Sequence, residues 1–497
     1  MADEIYDLLV IGGGINGAGI AADASARGLS VLLAEAGDLG GATSWCSSKL
    51  IHGGLRYLEH FEFRLVREAL AEREVLLAKA PHIVHPLHFI LPQISGMRSP
   101  LMMRAGLFLY DHLAARKSLG ASHAIDLRHD PAGIPLVPEI MSGFTYWDCA
   151  VDDARLVILN AIAARESGAH ILTRTPVTSL AIENNLWIAT LGAGRKFAAR
   201  AVVNAAGPWV AEVAKLAPID ATKPISVRLV KGSHIVVPRI SGADDAYTFQ
   251  NGDGRVVFAL PFEKSFTLIG TTEEPITGDP GEVAVTRAEE DYLIEAVSRF
   301  FRSAPTRESI DWRFAGVRPL VEDGSSSATE VSRDYQLELR ADNYPPILHV
   351  IGGKITTYRK LAEAALAQFS PFFPRMQRSS TAATPLPGGD LGGLSFETWL
   401  EDFIRAHSTF APAFLRSIAR RYGSRASAII AGARSQSDLG ENFGADLTAC
   451  EVSYLKSEEW AQTADDVLWR RTKTALHLAP DDRARAADRI GAWLERS

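Results

Sequence analysis

The stretch YDLLVIGGGINGAGIAADASARGLSVLLAEAGD, residues 6–38, decides the fold of this chain. An apolar run is followed by a glycine turn, a helix of small residues and a second apolar run that ends in Glu35. We interpret this order as a strand–helix–strand unit in which Gly12, Gly14 and Gly17 fill the G-x-G-x-x-G pattern. These glycines permit a tight turn, close approach of the backbone to a pyrophosphate, and close packing of helix on strand. The sequence therefore predicts a dinucleotide site, with phosphate at the helix N-terminus and a ribose on Glu35.

Two later segments favour FAD over NAD as the dinucleotide. Residues 200–210, RAVVNAAGPWV, indicate a strand that ends in small residues, and residues 346–366, PILHVIGGKITTYRKLAEAAL, repeat the order of strand, double glycine and helix. Residues 168–180 are typical of the strand that passes the adenine. A nicotinamide site is normally completed within one contiguous domain, whereas a late return to the cofactor favours a long, enclosed FAD. The predicted cofactor-binding residues are Gly12, Gly14, Asn16, Gly17, Glu35, Thr43, Ser44, Ser48, Lys49, Val177, Gly207, Gly353, Lys354 and Thr356.

The segment SKLIHGGLRYLEH, residues 48–60, concentrates hydrogen-bond donors directly before a predicted helix. Its Lys49, His52, Arg56 and Tyr57 are expected between the cofactor and that helix. A flavin itself accepts the hydride, so the protein must orient the substrate and provide a proton acceptor. Imidazole titrates near neutral pH, which makes His52 and His234 candidates for that acceptor. Either histidine could instead only orient the substrate hydroxyl.

Several cations follow or end predicted strands close to the cofactor segments. A single arginine more often forms a surface ion pair, but its planar fork also matches carboxylate or phosphate. Convergence of three or four such cations predicts a dianionic substrate group, and phosphate fits better than a monocarboxylate. The predicted catalytic residues are His52, His234 and Arg318, and the cations expected to bind the substrate are Arg56, Arg318, Arg333 and Lys354.

Length and composition fit a soluble α/β enzyme of two or three domains. The chain has 497 residues and a net charge of -7, which argues against general nucleic-acid binding. Its three cysteines lack CxxC spacing, so we expect no disulfide framework and no metal site, and a reducing compartment fits. We find no secretory signal and no apolar window long enough to span a membrane. Residues 97–117 fit either an ordinary amphipathic helix or one that lies in a membrane interface.

The predicted fold is α/β, with three domains. The first is an FAD-binding Rossmann-like domain of the glutathione-reductase or D-amino-acid-oxidase type. Short apolar runs separated by turn residues predict an antiparallel β substrate domain, and helical spacing after a Pro/Gly/Thr linker predicts an all-α C-terminal domain. Within residues 1–385 we assign about 1–90, 150–225 and 310–370 to the FAD-binding domain and about 91–149 and 226–309 to the substrate domain, with 386–497 as the C-terminal domain.

Motifs along most of the chain occur in an order known from one family. They include SSKLIHGGLRYLEHFEFRLVREALAEREVL, DCAVDDARLV, NAAGPWV, KGSHIVVPR, LIGTTE, GVRPL, GGKITTYRKLAE and ADDVLWRRTK. Together with the glycine turn they resemble the aerobic, FAD-dependent glycerol-3-phosphate dehydrogenases, and the block KLIHGGLRYLE is highly specific. The resemblance implies oxidation of sn-glycerol 3-phosphate to dihydroxyacetone phosphate, with electrons passed to a quinone. It also implies peripheral attachment to the inner face of the cytoplasmic membrane and a homodimer. The substrate contacts that it implies are Arg56, Tyr57, His234, Arg318, Arg333 and Lys354.

Four positions depart from the usual residues of that family. Trp45 and Cys46 stand where small residues are usual, Phe262 where Trp is common, and Glu273 where Asp is usual. These departures leave the exact polyol phosphate open, because erythritol phosphate would use the same phosphate clamp. An oxidase that uses O₂ and a flavin-containing sensor without turnover are alternatives. The lack of a long insertion disfavours the oxidase, and a sensor needs no proton acceptor beside the flavin.

Overall fold

The computed structural model describes residues 4–94, 99–219, 224–322 and 334–496. The strands are β1 Ile5–Ile11, β2 Val31–Ala34, β3 Leu50–Ile51, β4 Val84–Pro92, β5 His123–Asp126, β6 Ser142–Val151, β7 His170–Leu172, β8 Val177–Glu183, β9 Leu186–Leu191, β10 Arg195–Asn204, β11 Val227–Pro238, β12 Ala246–Gln250, β13 Val256–Phe262, β14 Phe266–Gly270, β15 Glu274–Pro275, β16 Trp312–Val321, β17 Tyr335–Arg340, β18 Ile347–Gly352, β19 Asn442–Gly444 and β20 Leu447–Thr448. The α-helices are α1 Ile15–Ala26, α2 Phe63–Lys79, α3 Pro100–His112, α4 Asp153–Glu166, α5 Val210–Ala214, α6 Arg287–Ser298, α7 Tyr358–Gln368, α8 Phe396–Ala406, α9 Pro412–Tyr422, α10 Ala426–Ile429, α11 Ala449–Glu459 and α12 Pro480–Arg496.

The first sheet has the strand order β17-β18-β10-β1-β2-β7, and the hairpin β8–β9 extends from β10. Strands β18, β10, β1, β2 and β7 run parallel, and parallel strands of this kind are usually covered on both faces. The apolar strand β2, VLLA, is buried along its whole length. Small residues let α1 pack closely, since a Cβ on Gly19 would lie 2.6 Å from the ring of Tyr358 in α7. The carboxyl ends of β1, β2, β10 and β18 therefore meet at one edge, where such folds bind ligands.

The second sheet follows the order β15-β11-β14-β13-β12-β4-β6-β3, with β16 paired to β11 and β5 to β6. Its pairs are antiparallel except that of β12 with β4, which confirms the predicted β-rich layer. Strand β16 pairs with β11 from Val227↔Val321 to Val236↔Trp312. Residues 312–321 therefore belong to this sheet, although we assigned 310–370 to the FAD-binding part, and β3 and β4 join it from within 1–90. The long shared register with β11 is what places β16 here.

The C-terminal region from Phe396 onward is helical apart from the short hairpin β19–β20. It has an apolar core of its own, which includes Phe414, Leu415 and Leu455. It docks on α4 through ion pairs such as buried Arg155 with Glu459. Among the described residues, no helix combines the length and the apolar character that crossing a bilayer requires.

Candidate active site

The glycine turn after β1 has the geometry that a dinucleotide site needs. Gly12 has φ +107°, and a Cβ on Gly17 would lie 1.9 Å from the Gly12 carbonyl oxygen, so glycine is required at both positions. The Glu35 carboxylate accepts hydrogen bonds from the backbone N–H groups of Gly13 and Gly37, each at 2.6 Å. Burial raises the pKa of Glu35, while these two bonds oppose the rise. A carboxylate with spare acceptor sites thus lies beside the turn, where a ribose is expected.

Three segments far apart in the sequence meet at the N-terminus of α1. Ser44 Oγ accepts the N–H of Ile15 at 3.0 Å, and Asn16 Nδ2 donates to the Gly352 carbonyl at 3.0 Å. Asn16 Oδ1 is buried and has no hydrogen-bond partner among the described residues, so it can accept from a bound ligand. Gly353 has φ +98°, and a Cβ there would lie 2.9 Å from Asn16 Nδ2. These residues fit FAD, because the cradle is open to a group that brings both phosphate and N–H or O–H donors.

Other predicted cofactor residues surround this cradle. Thr43 Oγ1 donates to the Val317 carbonyl at 2.6 Å, and Thr356 Oγ1 accepts the His52 N–H at 3.3 Å. Gly207 has φ +56° and begins the turn after β10. Val177 lies at the start of β8, on the hairpin that extends the first sheet.

Lys49 is placed differently from the other predicted cofactor residues. Its side chain is only 4% exposed, and its ammonium group lies 2.8 and 2.9 Å from the two carboxylate oxygens of Asp153. It also donates to the Trp45 carbonyl at 2.7 Å. The ammonium group is therefore used in a buried ion pair, a contact between positions 104 residues apart that sequence spacing does not reveal.

A cavity of about 750 Å³ lies between the glycine turn and the second sheet. Its wall contains most of the donor-rich segment that precedes α2 and the end of β16. The structure brings together in this wall the predicted Thr43, Ser44, Ser48, His52, Arg56, Tyr57, Arg318, Gly353, Lys354 and Thr356. Arg333 lies outside the described residues.

Two arginines of the cavity lie near one carboxylate. Arg318 Nη1 lies 3.6 Å from Glu273 Oε1, and Arg56 Nη1 lies 4.0 Å from Glu273 Oε2. Arg318 Nη2 also donates to Thr271 Oγ1 at 3.4 Å, and Lys354 Nζ lies 3.5 Å from the centroid of the Tyr57 ring. Sequence reasoning singled out Glu273 only as a departure from the family and did not place it in the site. Its position in a polar run directly after β14 was the available signal.

His52 faces the cavity and is backed by a buried polar network. Burial lowers the pKa of His52, and the nearby Asp148 carboxylate partly opposes this. Asp148 accepts hydrogen bonds from Tyr110 Oη at 2.7 Å and from Arg73 Nη1 at 2.6 Å, and Tyr110 Oη accepts the N–H of Gly53 at 2.8 Å. The network fixes the backbone beside His52. Sequence analysis missed it, because its members come from separate elements.

His234 lies one layer behind the cavity wall. Its Nε2 is 2.9 Å from Ser48 Oγ, and its ring stacks on Phe314 with centroids 4.9 Å apart. Burial, followed by the positive charges of Arg318 and Lys49, lowers the pKa of His234 well below its ordinary value. His234 therefore reaches the cavity through Ser48, whose hydroxyl lies in the wall.

The mouth of the cavity carries exposed apolar side chains. Phe61 is 78% exposed and Leu101 79% exposed, and Met102 and Leu109 line the outer cavity while remaining exposed. We call Phe61, Leu101, Met102, Phe108 and Leu109 the mouth patch. Phe61, Met102 and Leu109 of this patch also line the cavity, and the other two members lie on the same helix α3.

Comparison with known proteins agrees with this geometry. The model of FAD dependent oxidoreductases matches residues 7–359, and that of the C-terminal domain of alpha-glycerophosphate oxidase matches residues 379–496. The chain belongs to the FAD-dependent oxidoreductases. The predicted FAD cofactor, the FAD-binding α/β fold and the helical C-terminal domain are thereby confirmed.

Individual relatives narrow the group within this oxidoreductase family. The chain is 51% identical to a glycerol-3-phosphate dehydrogenase of Pseudomonas aeruginosa, over 99% of this chain and 95% of that protein. It is 46% identical to the aerobic glycerol-3-phosphate dehydrogenase of Escherichia coli, over 99% of this chain and 97% of that protein. It is also 48% identical to D-erythritol 1-phosphate dehydrogenase of Brucella abortus, over 97% of each chain. The crystal structure of a Bacillus halodurans glycerol-3-phosphate dehydrogenase with FAD superposes with a TM-score of 0.77 at 25% identity, over 100% of this chain and 96% of that one. The predicted membership of the glycerol-3-phosphate dehydrogenase group is confirmed.

Proposed function

We propose that this oxidoreductase converts sn-glycerol 3-phosphate to dihydroxyacetone phosphate. The observation that carries the proposal is the convergence of Arg56, Arg318 and Lys354 in one cavity with His52, beside the glycine turn. Three cations around one space favour a ligand with two negative charges. A polyol phosphate provides that charge and the adjacent carbinol that the reaction oxidises.

The guanidinium groups bind and orient the phosphate. Arg56 and Arg318 each lie near a different oxygen of the Glu273 carboxylate, which keeps both of them at the cavity wall before substrate arrives. When substrate binds, its phosphate pairs with the guanidinium groups of Arg56 and Arg318. Arg333 is a further predicted contact of the phosphate. Lys354, stacked on Tyr57, adds a positive charge next to the double glycine that approaches the cofactor.

A proton must leave the substrate hydroxyl as the hydride leaves carbon. FAD, when bound, supplies the hydride acceptor. His52 faces the cavity, and because burial lowers its pKa it is neutral at pH 7 and able to accept the proton. His234 is the alternative acceptor through Ser48 Oγ. Kinetics of variants distinguishes the two histidines. Replacement of the histidine that accepts the proton lowers kcat, while replacement of a histidine that only orients the substrate mainly raises KM.

The mouth patch supports a membrane quinone as the electron acceptor. Its apolar side chains lie on α3 and at the cavity entrance, with the exposed cation Arg104 on the same helix. This combination suits contact with the anionic inner face of the cytoplasmic membrane, from which a quinone could approach. We expect wild-type protein to co-sediment with anionic vesicles and Leu101→Ser/Phe108→Ser to remain in solution. The control Phe372→Ser changes another exposed aromatic residue outside the patch and should bind as wild type.

A homodimer is part of the same proposal and follows from the family resemblance. Analytical ultracentrifugation of the detergent-solubilised holoprotein tests it. A single species at the mass of one chain would remove the dimer and leave the reaction unaffected.

Anaerobic flavin reduction tests the substrate. Mixing the holoenzyme with sn-glycerol 3-phosphate should bleach the flavin band near about 450 nm. D-erythritol 1-phosphate is the second candidate, favoured by the similarity to the Brucella enzyme. Faster bleaching by that compound at equal concentration would change the substrate and keep the reaction class. Rapid reoxidation by O₂ with release of peroxide, and none by a soluble quinone, would indicate an oxidase instead.

A further inference from the structure

The motif ADDVLWRRTK, residues 464–473, reaches from the C-terminal domain into the cofactor-binding domain. Arg471 is fully buried, and both of its terminal nitrogens donate to the carboxylate of Asp38, with Nη2 2.8 Å from Oδ1. Arg470 Nε donates to the same carboxylate at 2.6 Å. Two arginines of one domain thus hold a single aspartate of the other. Such a charge pair is strongly coupled because it is buried.

Asp38 lies in the cofactor loop, which we define as residues 35–41. This loop begins with Glu35, whose carboxylate binds the N–H groups of Gly13 and Gly37. The N–H of Gly40 donates to the Gly13 carbonyl at 2.9 Å, so the loop folds back onto the glycine turn. Asp38 is therefore held between two contacts with the turn that carries the dinucleotide.

A second set of contacts links the same C-terminal motif to the segment after β7. Asp466 accepts a hydrogen bond from Arg174 Nη2 at 2.6 Å, and the Arg174 N–H donates to the Gly37 carbonyl at 2.8 Å. Trp45 adds a third link, since its Nε1 donates to the Gly41 carbonyl at 3.1 Å and Arg470 lies 5.7 Å from its ring centroid. The C-terminal motif thus contacts the cofactor loop from several sides.

We propose that Arg470 and Arg471 are positioning residues that hold the cofactor loop closed through Asp38, so that the C-terminal domain controls the retention of FAD. The loop must be ordered before Glu35 can take the ribose, and fixing a loop costs conformational entropy. The buried ion pair orders the cofactor loop before the cofactor binds and lowers the rate at which the loop opens. Residues outside the cavity lining thereby set the rate of cofactor release.

The test is the rate of FAD release from the holoenzyme, followed by the rise in flavin fluorescence after dilution. We expect Arg470→Gln, Arg471→Gln and Asp38→Asn each to release FAD about tenfold faster, the scale of one lost hydrogen-bonded contact. The matched control is Arg425→Gln. It removes the ion pair between Arg425 and Glu166, which joins the C-terminal domain to α4 and not to the cofactor loop. The control should release FAD at the wild-type rate.

A double-mutant cycle separates this role from general stability. If Arg471 acts through Asp38, the double variant Asp38→Asn/Arg471→Gln should release FAD no faster than the more affected single variant. Arg470 is partly exposed, so its replacement should disturb folding less than that of fully buried Arg471. If Arg471→Gln does not fold, the FAD release rates of Arg470→Gln and Asp38→Asn test the proposal. Wild-type release rates in folded variants, equal acceleration in Arg425→Gln, or additive effects in the double variant would overturn the proposal.

Discussion

Replacement of Arg318 by Gln tests the phosphate clamp most sharply. Arg318 is 26% exposed, lies on β16, and contacts Thr271 and Glu273 at the cavity wall. The change removes a positive charge and a planar fork without removing much volume. It also removes one of the positive charges beside the Glu273 carboxylate, whose distance to Arg56 Nη1 is 4.0 Å, so the site becomes less attractive to an anion.

The expected size follows from these contacts. Loss of a charge-assisted contact to a buried or half-buried anion costs about 2–5 kcal/mol of binding free energy. Because Arg318 is partly exposed, we expect a loss of about 3 kcal/mol. This corresponds to a fall of about 150-fold in kcat/KM, carried largely by KM. Arg318→Lys retains the charge but not the fork, so it should lie between wild type and Arg318→Gln.

Steady-state kinetics with glycerol 3-phosphate and a quinone analogue measures the loss, and inhibition by inorganic phosphate provides an independent estimate of anion binding. The matched control is Arg313→Gln, five positions earlier on the same strand, where the guanidinium is half-exposed and pairs with Glu290. The control should change kcat/KM less than about twofold. Equal kinetics in Arg318→Gln and wild type, with FAD content unchanged, would refute the clamp.

Three further predictions follow from the site and the core. Glu273→Gln removes a negative charge beside Arg56 and Arg318, so calorimetry should show several-fold tighter binding of inorganic phosphate; weaker binding would contradict the assigned role. His52→Gln should lower kcat by about 10²-fold or more, and wild-type kcat at saturating substrate should stay flat as pH falls through about 6.5, because burial lowers the His52 pKa; a wild-type kcat in the variant would exclude His52 as acceptor. Burial lowers the pKa of His349 from 6.5 in the unfolded chain to about 4 in the folded protein. Between these two values the unfolded chain binds a proton on His349 that the folded protein does not bind. The free energy of unfolding should therefore fall by about 2 kcal/mol from pH 7 to pH 5. Urea unfolding of His349→Gln should show a smaller fall over the same range, and an identical fall would contradict this explanation.

Local patterns in the sequence were sufficient for the cofactor half of the site. The strand, glycine turn and helix of residues 6–38 depend on contacts between near neighbours, and φ +107° at Gly12 is a local requirement. The convergence of Arg56, Arg318 and Lys354 was inferred from their positions at strand ends and from the family resemblance. It holds because Lys354 follows β18 of the first sheet, whereas Arg318 on β16 and Arg56 after β3 come from the second sheet, and the cavity lies between the two.

Pairings across long stretches of sequence were not predictable in the same way. Asp38 and Arg471 form an ion pair although 433 positions separate them, and no periodicity encodes that partner. Lys49 was predicted to bind the cofactor, and its ion pair with Asp153 is a long-range contact that its place in the donor-rich segment does not reveal. The membership of β16 in the second sheet likewise depends on its register with β11, which forms only in the folded chain.

The central claim is that the cavity recognises a phosphate dianion and presents the neighbouring carbinol for oxidation. Anaerobic mixing of the holoenzyme with either sn-glycerol 3-phosphate or glycerol tests it directly, with the flavin absorbance as readout. We predict that the phosphate ester bleaches the flavin and that glycerol at the same concentration leaves it oxidised. Equal bleaching by both compounds, or by neither, would contradict the account.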